Sequence, residues 1–252
     1  MDSPLSRAWE ALTRYPALVL VPIAWDLVGA GVLLLFGARP VPETGRKFDF
    51  RFLLPPDLPS GTELLGSGPN LMNQSAVGTV AFVVMAVATA FITAGFLHLL
   101  AGALAEIPPT WDRFADGVNR FGGRLLLWGV ILMLFLVVGL FFAAALGPAA
   151  ILLGIIALVA VVLLYLVPFL IVLEDMTVGE AVSAAPTRLM AEFGNLFPVA
   201  LASVSISVGL SFLLSIVNLR TMWLASPLWG FFGTFLALAV VAVVRPQKAV
   251  SE

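Results

Sequence analysis

The sequence predicts an all-α polytopic membrane protein with six transmembrane helices, three cytoplasmic-side interfacial amphipathic helices and one proline-rich outer loop. Three observations lead there. From Leu125 to Leu173 the chain carries no Asp, Glu, Lys, Arg or His, and its only strong break is Leu146-Gly147-Pro148. Of the 252 residues, 61% are hydrophobic and 11% charged, against roughly 45–50% and ~25% in soluble domains. Finally, six apolar stretches lie between the charged residues, each long enough to cross a bilayer with some tilt.

The charge-free run would be roughly 70 Å long as a single helix, more than twice the ~30 Å hydrocarbon core, so it folds back. Gly147-Pro148 is the place, because glycine accepts a left-handed cap and proline cannot continue the preceding helix. The six spans are Ala17 to Gly37, interrupted by Asp26, then Ala76 to Ala105, Leu125 to Leu146, Pro148 to Leu173, Asn195 to Val217 and Trp223 to Val244. They make one membrane domain over residues 1–252, with hairpins 17–105, 125–173 and 195–244 and an outer loop 38–75. The first stretch is retained rather than cleaved as a signal peptide. It follows Arg7 and Arg14, but it holds Asp26 and ends at Phe36-Gly37-Ala38 without a small-x-small site.

An even number of spans puts both termini on one side. Arg7, Arg14, Arg113, Arg120, Arg124, Arg188, Arg245 and Lys248 share that side, against Arg39, Arg46, Lys47, Arg51 and Arg220 on the other. The excess of positive charge predicts cytoplasmic termini and a multi-pass protein of the cell (inner) membrane.

Three connections read as amphipathic helices. Ser3-Pro4 is an N-cap followed by proline at the first helical position, ahead of Leu5, Ala8, Trp9, Leu12 and Tyr15 at helical spacing. Trp111, Phe114, Val118 and Phe121 form an apolar stripe opposite Asp112, Arg113, Asp116 and Arg120. Thr177-Val178-Gly179-Glu180 is a capping box opening a helix with Val178, Ala181, Val182, Ala185 and Leu189 on one side. Solvated connectors are the plainer alternative. Aromatic and arginine residues paired at the membrane boundary favour helices lying in the interface. Pro186 is expected to kink or split the third, and Pro22 and Pro168 to kink spans one and four.

These features suggest an internal triplication, each unit being an interfacial helix followed by a transmembrane hairpin. Arg14-Tyr15-Pro16, Arg120-Phe121-Gly122 and Glu192-Phe193-Gly194 stand at equivalent junctions, and Arg7 and Arg113 repeat one offset before the first two. Only the first hairpin carries a long loop. In it, Pro40, Pro42, Pro55, Pro56 and Pro59 exclude a continuous helix, and Phe48-Asp49-Phe50-Arg51-Phe52 alternates as a short strand. That loop reads as a cap on the span ends, with a lid or a partner-binding edge as the alternatives. Gly66-Ser67-Gly68 is too short for a phosphate loop.

Composition also excludes functions. A net charge of -2 with acids and bases nearly balanced gives no basic face for nucleic acid. With no cysteine and His98 the only histidine, disulfides, thiolate nucleophiles and histidine-cluster metal sites are ruled out. No cofactor motif is present, and membrane lipids are the one partner the composition requires.

Two constellations remain. Asp26 and His98, the deepest ionisable residues, lie at similar depths in adjacent antiparallel spans and form a candidate intramembrane polar pair. It reads either as a structural clamp or as a proton-coupled transport site. Ser203, Ser207, Ser211 and Ser215, spaced by four, form a candidate helix-packing face, with Gly230, Gly233 and Ala237 as the matching face of span six. A hydroxyl-lined permeation path is the alternative. Glu106, Asp112, Asp116, Glu174, Asp175 and Glu180 gather near the inner interface, within reach of a divalent cation and lipid headgroups, but show no metal-motif spacing.

The order Ile171-Val172-Leu173-Glu174-Asp175, the Thr177 capping box, Glu180-Ala181, Pro186-Thr187-Arg188-Leu189 and Phe193-Gly194-Asn195 opening a span has a known counterpart. It resembles the recurrent segment of bacterial six-span proteins related to the membrane domain attached to some glycerophosphodiester phosphodiesterases. Arg14-Tyr15-Pro16 is similar to that group's N-terminal pattern. The match is specific over roughly 171–200, and Pro186 and the long outer loop depart from it. The phosphodiesterase catalytic domain has no counterpart here, so the resemblance implies no such activity. The expected function is that of a non-enzymatic bacterial inner-membrane scaffold, accessory or lipid-organising protein. The alternatives are a small transporter or channel using Asp26 and His98, and a membrane-embedded lipid-modifying enzyme.

Overall fold

The computed structural model describes residues 3–35, 76–147, 150–216 and 222–245, and among them the chain is helical almost throughout and contains no strand. The expected outer loop with its Phe48–Phe52 strand lies outside the described residues. Helix α1 (Pro4–Arg14) leads through a short 3-10 turn (Pro16–Val19) into α2 (Leu20–Leu35). Then come α3 (Ala76–Ala103), α4 (Trp111–Leu146), α5 (Ala150–Leu163), α6 (Val167–Leu173), α7 (Val178–Ala191), α8 (Phe193–Ile216) and α9 (Met222–Val244).

Among the described residues, five helical segments are long and apolar enough to cross a membrane: Val83–Ala103, Trp111–Leu146, Ala150–Leu173, Phe193–Leu210 and Ser226–Val244. The bent pair Pro4–Arg14 and Pro16–Gly29 makes a sixth if it is counted as one span. Helix α2 falls short alone because its 16 residues reach only about 24 Å.

Local chemistry sets the helix ends. The Ser3 hydroxyl accepts from the Ser6 amide at 3.1 Å and Pro4 follows it, so α1 starts where its free amides are satisfied. Pro16 stops α1, and the chain bends by 94° there. Pro22, the expected kink, sits in the first turn of α2, where no helical amide is due. Gly147 ends α4 at φ 56° and ψ −127°, backbone angles that strongly favour glycine. Span four breaks at Leu164–Leu166, and Pro168 lies in the first turn of α6. The Thr177 capping box is complete: its amide donates to Glu180 Oε2 at 2.8 Å, and the Glu180 amide donates back to Thr177 Oγ1 at 3.4 Å.

Two expectations about the interfacial helices need correcting. The Trp111–Phe121 stripe is not a separate helix; it forms the first turns of α4, which runs unbroken for 36 residues. No proline interrupts it, and Gly122 is tolerated because any side chain there would strike the Phe91 ring. Pro186 does not split α7. Val178, Ala181, Ala185 and Leu189 are buried on either side of it, and α7 packs on α6 along that face.

The core lies at one end of the bundle. α3, α6 and α9 contact one another pairwise, and Phe96, Leu100, Leu166, Leu170, Leu238 and Val241 are fully buried among them. Around this centre α4 packs on α3, α7 on α6 and α1 on α9. The far end is different. α5 has no buried residue, and α4 exposes Val130–Val138 and Phe141–Phe142. An apolar surface this continuous is what a membrane-crossing hairpin presents.

Candidate functional site

The polar side chains gather at the core end, where the helices stop. At the end of α3 the Ile107 amide bonds the Gly102 carbonyl at 3.0 Å and the Glu106 amide bonds the Ala103 carbonyl at 3.1 Å. This double bond pattern places Glu106 in the left-handed position, φ 61°, usually held by glycine. Arg14 Nη1 lies 2.9 Å from Glu106 Oε1, and the Tyr15 hydroxyl donates to the Glu106 carbonyl at 2.9 Å. The start of the first hairpin is thereby tied to its end.

The second hairpin repeats the device. Asp175, just past α6, also has a positive φ, 56°. Arg120 Nη2 lies 2.5 Å from its Oδ2 and Arg124 Nη1 2.7 Å from its Oδ1. Arg124 also donates to the Asp175 and Met176 carbonyls at 3.1 and 3.2 Å. The Phe121 ring supports both guanidinium groups, at 5.3 and 5.9 Å from its centroid. Hydrogen bonds from Arg120 first and Arg124 second hold the Asp175 carboxyl below the usual carboxylate range. Glu180 is held low too, first by the Thr177 amide and then by its hydroxyl.

Around α8 and α9 the signs are reversed. Glu192 stands at the entry and accepts from Asn195 Nδ2 at 2.9 Å. Arg245 stands at the exit and donates to the Ala101 carbonyl at the end of α3, 3.1 Å away. Arg7 likewise donates to the Ala242 carbonyl of α9 at 3.4 Å. Guanidinium groups at helix C-termini meet carbonyls that lack a helical partner. Arg188 ties Glu174 at 2.6 Å.

His98 lies inside the α3–α4 contact. The acid that the structure brings to it is Asp116 of α4, with Nε2 to Oδ2 at 3.4 Å, and its ring lies on Phe121. The cause is a close crossing. A methyl group built on Gly117 would fall 2.6 Å from His98 Cβ and 3.1 Å from Gly95 Cα. Asp26, the partner expected from sequence, is buried in α2, with 5% of its surface exposed.

Of the serine series, Ser203 and Ser207 are buried on the face of α8 that carries Leu196, Val199 and Leu210. The side chains of Ser211 and Ser215 lie outside the described residues. α8 packs on α9, with Leu210, Trp229 and Leu236 buried where the two meet. Gly230, expected to face α8, meets α2 instead, where Ile23 and Pro22 fill the space a side chain would need. Sequence reasoning missed Ser226, which is buried in the first turns of α9; its four-residue spacing from Gly230 was the available signal.

Five of the interfacial carboxylates are engaged individually: Glu106 by Arg14, Asp116 by His98, Glu174 by Arg188, Asp175 by Arg120 and Arg124, and Glu180 by Thr177. Among the described residues no three His, Cys, Asp or Glu side chains group as a metal ion would need. In comparison with known proteins, no family model, no curated protein and no solved structure matches the chain.

Proposed function

We propose that the protein is a non-enzymatic inner-membrane scaffold or lipid-organising component with six spans, built from three repeated units whose junctions face the cytoplasm. The observation that carries this reading is the pair of equivalent ties, Arg14 to Glu106 and Arg120 to Asp175. In both, an arginine that the sequence repeat aligns at the entry of a hairpin holds the positive-φ acid at its exit. Polar groups used to lock helix ends leave the lipid-facing α4–α5 hairpin as the working surface, and membrane lipids are its partners. On this reading α1, the first turns of α4 and α7 lie in the inner interface, with Trp111 exposed at the boundary. The motif over 171–200 supports kinship with the six-span proteins it resembles.

Because the chain has no cysteine, single substitutions report topology directly. Ser183→Cys should react with an impermeant maleimide only after the inner leaflet is opened, and Thr62→Cys should react from outside. The reverse pattern overturns the orientation. Native mass spectrometry of the extracted protein should show retained lipid, and purified protein that turns over a lipid substrate would sink the scaffold reading. A small transporter or channel is the second reading, favoured by the burial of Asp26 inside the bundle. Flux through reconstituted vesicles separates the two.

A further inference from the structure

We propose that the core end of the bundle, where α3 and α9 stop and α4 starts, seats the phosphodiester of an anionic phospholipid, with Arg113 as its main contact and Arg245 and Arg7 beside it. The inference deepens the lipid-organising reading and rests on it only for the spanning of α3, α4 and α9.

Arg113 stands apart from the other described arginines. Each of those sets a guanidinium nitrogen on an oxygen: Arg14, Arg120, Arg124 and Arg188 on carboxylates, Arg7 and Arg245 on backbone carbonyls. Arg113 makes no ion pair among the described residues, and its Nε is buried without a hydrogen-bond partner. Its side chain lies on the last turn of α3, where a methyl group on Gly102 would fall 2.9 Å from Nη2 and 3.0 Å from Cζ. One edge of the guanidinium is thus closed off from water, a loss of solvation that no acceptor among the described residues offsets. Arg113 as a whole is only half-buried, and a guanidinium has further N–H groups on Nη1 and Nη2 to offer an acceptor from outside.

Two more cations without a carboxylate adjoin it. Arg245 Nη1 lies 3.1 Å from the carbonyl of Ala101, the residue before Gly102. The guanidinium groups of Arg245 and Arg113 are therefore at most about 10 Å apart, a bound set by their contacts with α3 and the geometry of one peptide unit. Arg7 reaches the Ala242 carbonyl, about one turn before Arg245 on α9. Nearby acids do not cancel the three. Glu106 is held by Arg14 and Asp116 faces His98, while Glu10 and Asp112 are exposed and pair with none of them.

The level of the site in the membrane selects the ligand. Arg113 belongs to the first turn of the Trp111–Leu146 span and lies on the last turn of the Val83–Ala103 span. Trp111, stacked on Phe114 at 5.2 Å, is 76% exposed beside it, and exposed tryptophan at a span end marks headgroup depth. The anion abundant at that depth is the lipid phosphodiester, whose oxygens a guanidinium meets with two parallel N–H bonds. Three cations without a carboxylate favour a lipid of net negative charge over a zwitterionic one.

The test is native mass spectrometry of the full chain released from micelles carrying equal amounts of phosphatidylglycerol and phosphatidylcholine. Phosphatidylglycerol should be retained about fivefold over phosphatidylcholine, the scale of one arginine at an anionic headgroup, and Arg113→Gln should remove most of that preference. Gly102→Ala keeps the charge but displaces the guanidinium, and it should lower the preference too. Arg188→Gln removes a positive charge from a paired site and should leave it unchanged. Equal retention of the two lipids by the parent chain overturns the seat even if Arg113→Gln fails to fold, and it leaves the lipid-organising reading standing. A preference that survives both Arg113→Gln and Gly102→Ala overturns it as well, and so does an equal loss in Arg188→Gln, which would make net charge the cause. Thermal unfolding in detergent separates a lipid from a free anion. Phosphatidylglycerol should raise the midpoint, whereas an equal rise with inorganic phosphate alone assigns the site to a soluble oxyanion and overturns the lipid. Extraction by alkaline carbonate is the separate check on the spanning reading: a chain that resists it but shows no headgroup preference loses the seat and keeps its spans.

Discussion

Arg14 and Glu106 meet at 2.9 Å, and the carboxylate they share a bond through belongs to a residue held at φ 61°. A non-glycine residue in that region carries backbone strain of roughly 1–2 kcal/mol. Glu106→Gly removes the strain and gives up only an exposed ion pair, so its melting midpoint in detergent should equal or exceed that of the parent. A clear fall would mean that the pair outweighs the strain.

Asp175 shares the backbone geometry but not the outcome. Its carboxylate is gripped by Arg120 and Arg124 together, and removing it takes that acceptor from Arg120 beside the Phe121 ring and leaves Arg124 with the backbone carbonyls of residues 175 and 176 alone. Asp175→Gly should therefore lower the midpoint where Glu106→Gly does not. Equal responses at the two positions would count against the clasp.

Acid should act through the same clasp. The Asp175 and Glu180 carboxyls sit below their ordinary values of 3.8 and 4.5. A depressed carboxyl adds stability that is fully present above its unfolded value and is lost as pH falls through its folded one. Midpoints should thus be flat above pH 4.5 as far as these groups matter and fall below it, and Asp175→Asn should flatten the lower part of the fall. A titration unchanged by that substitution would refute the assignment.

Close approach of α3 and α4 is testable at one atom. Gly117→Ala places a methyl group 2.6 Å from His98 Cβ and 3.1 Å from the Gly95 backbone, and overpacking of this kind costs about 1–3 kcal/mol. Gly129→Ala, with open space around it, should be tolerated. Chemical unfolding of the two variants in parallel decides the matter.

Thr177→Ala removes half of the capping box at the start of α7 and should cost about 1 kcal/mol. Serine at the same position should restore most of the loss.

Signals confined to a few neighbouring residues were legible in the sequence: the Ser3 and Thr177 caps, the Gly147 break and the apolar length of each span. What the sequence left open was settled by helices meeting. The stripe from Trp111 to Phe121 has the period of an interfacial helix, yet nothing local ends it, and α4 runs on. Pro186 disrupts by itself, but burial of Ala185 and Leu189 on α6 holds the helix through it. Depth along the spans puts His98 level with Asp26 but says nothing of Asp116; the glycine contact that brings that acid depends on two residues 22 positions apart being face to face. For the same reason the small face at Gly230 was matched to α8 when its occupant is α2.

The seat of α1 bears on how the protein is made. Its buried face of Ala8, Ala11 and Leu12 is synthesised well before the helices it packs on, α9 and α8. Until those helices exist that face lacks them as partners, and an amphipathic helix can shelter it against a membrane surface. Docking of α1 is therefore a late step, one that waits for α8 and α9 to be in place.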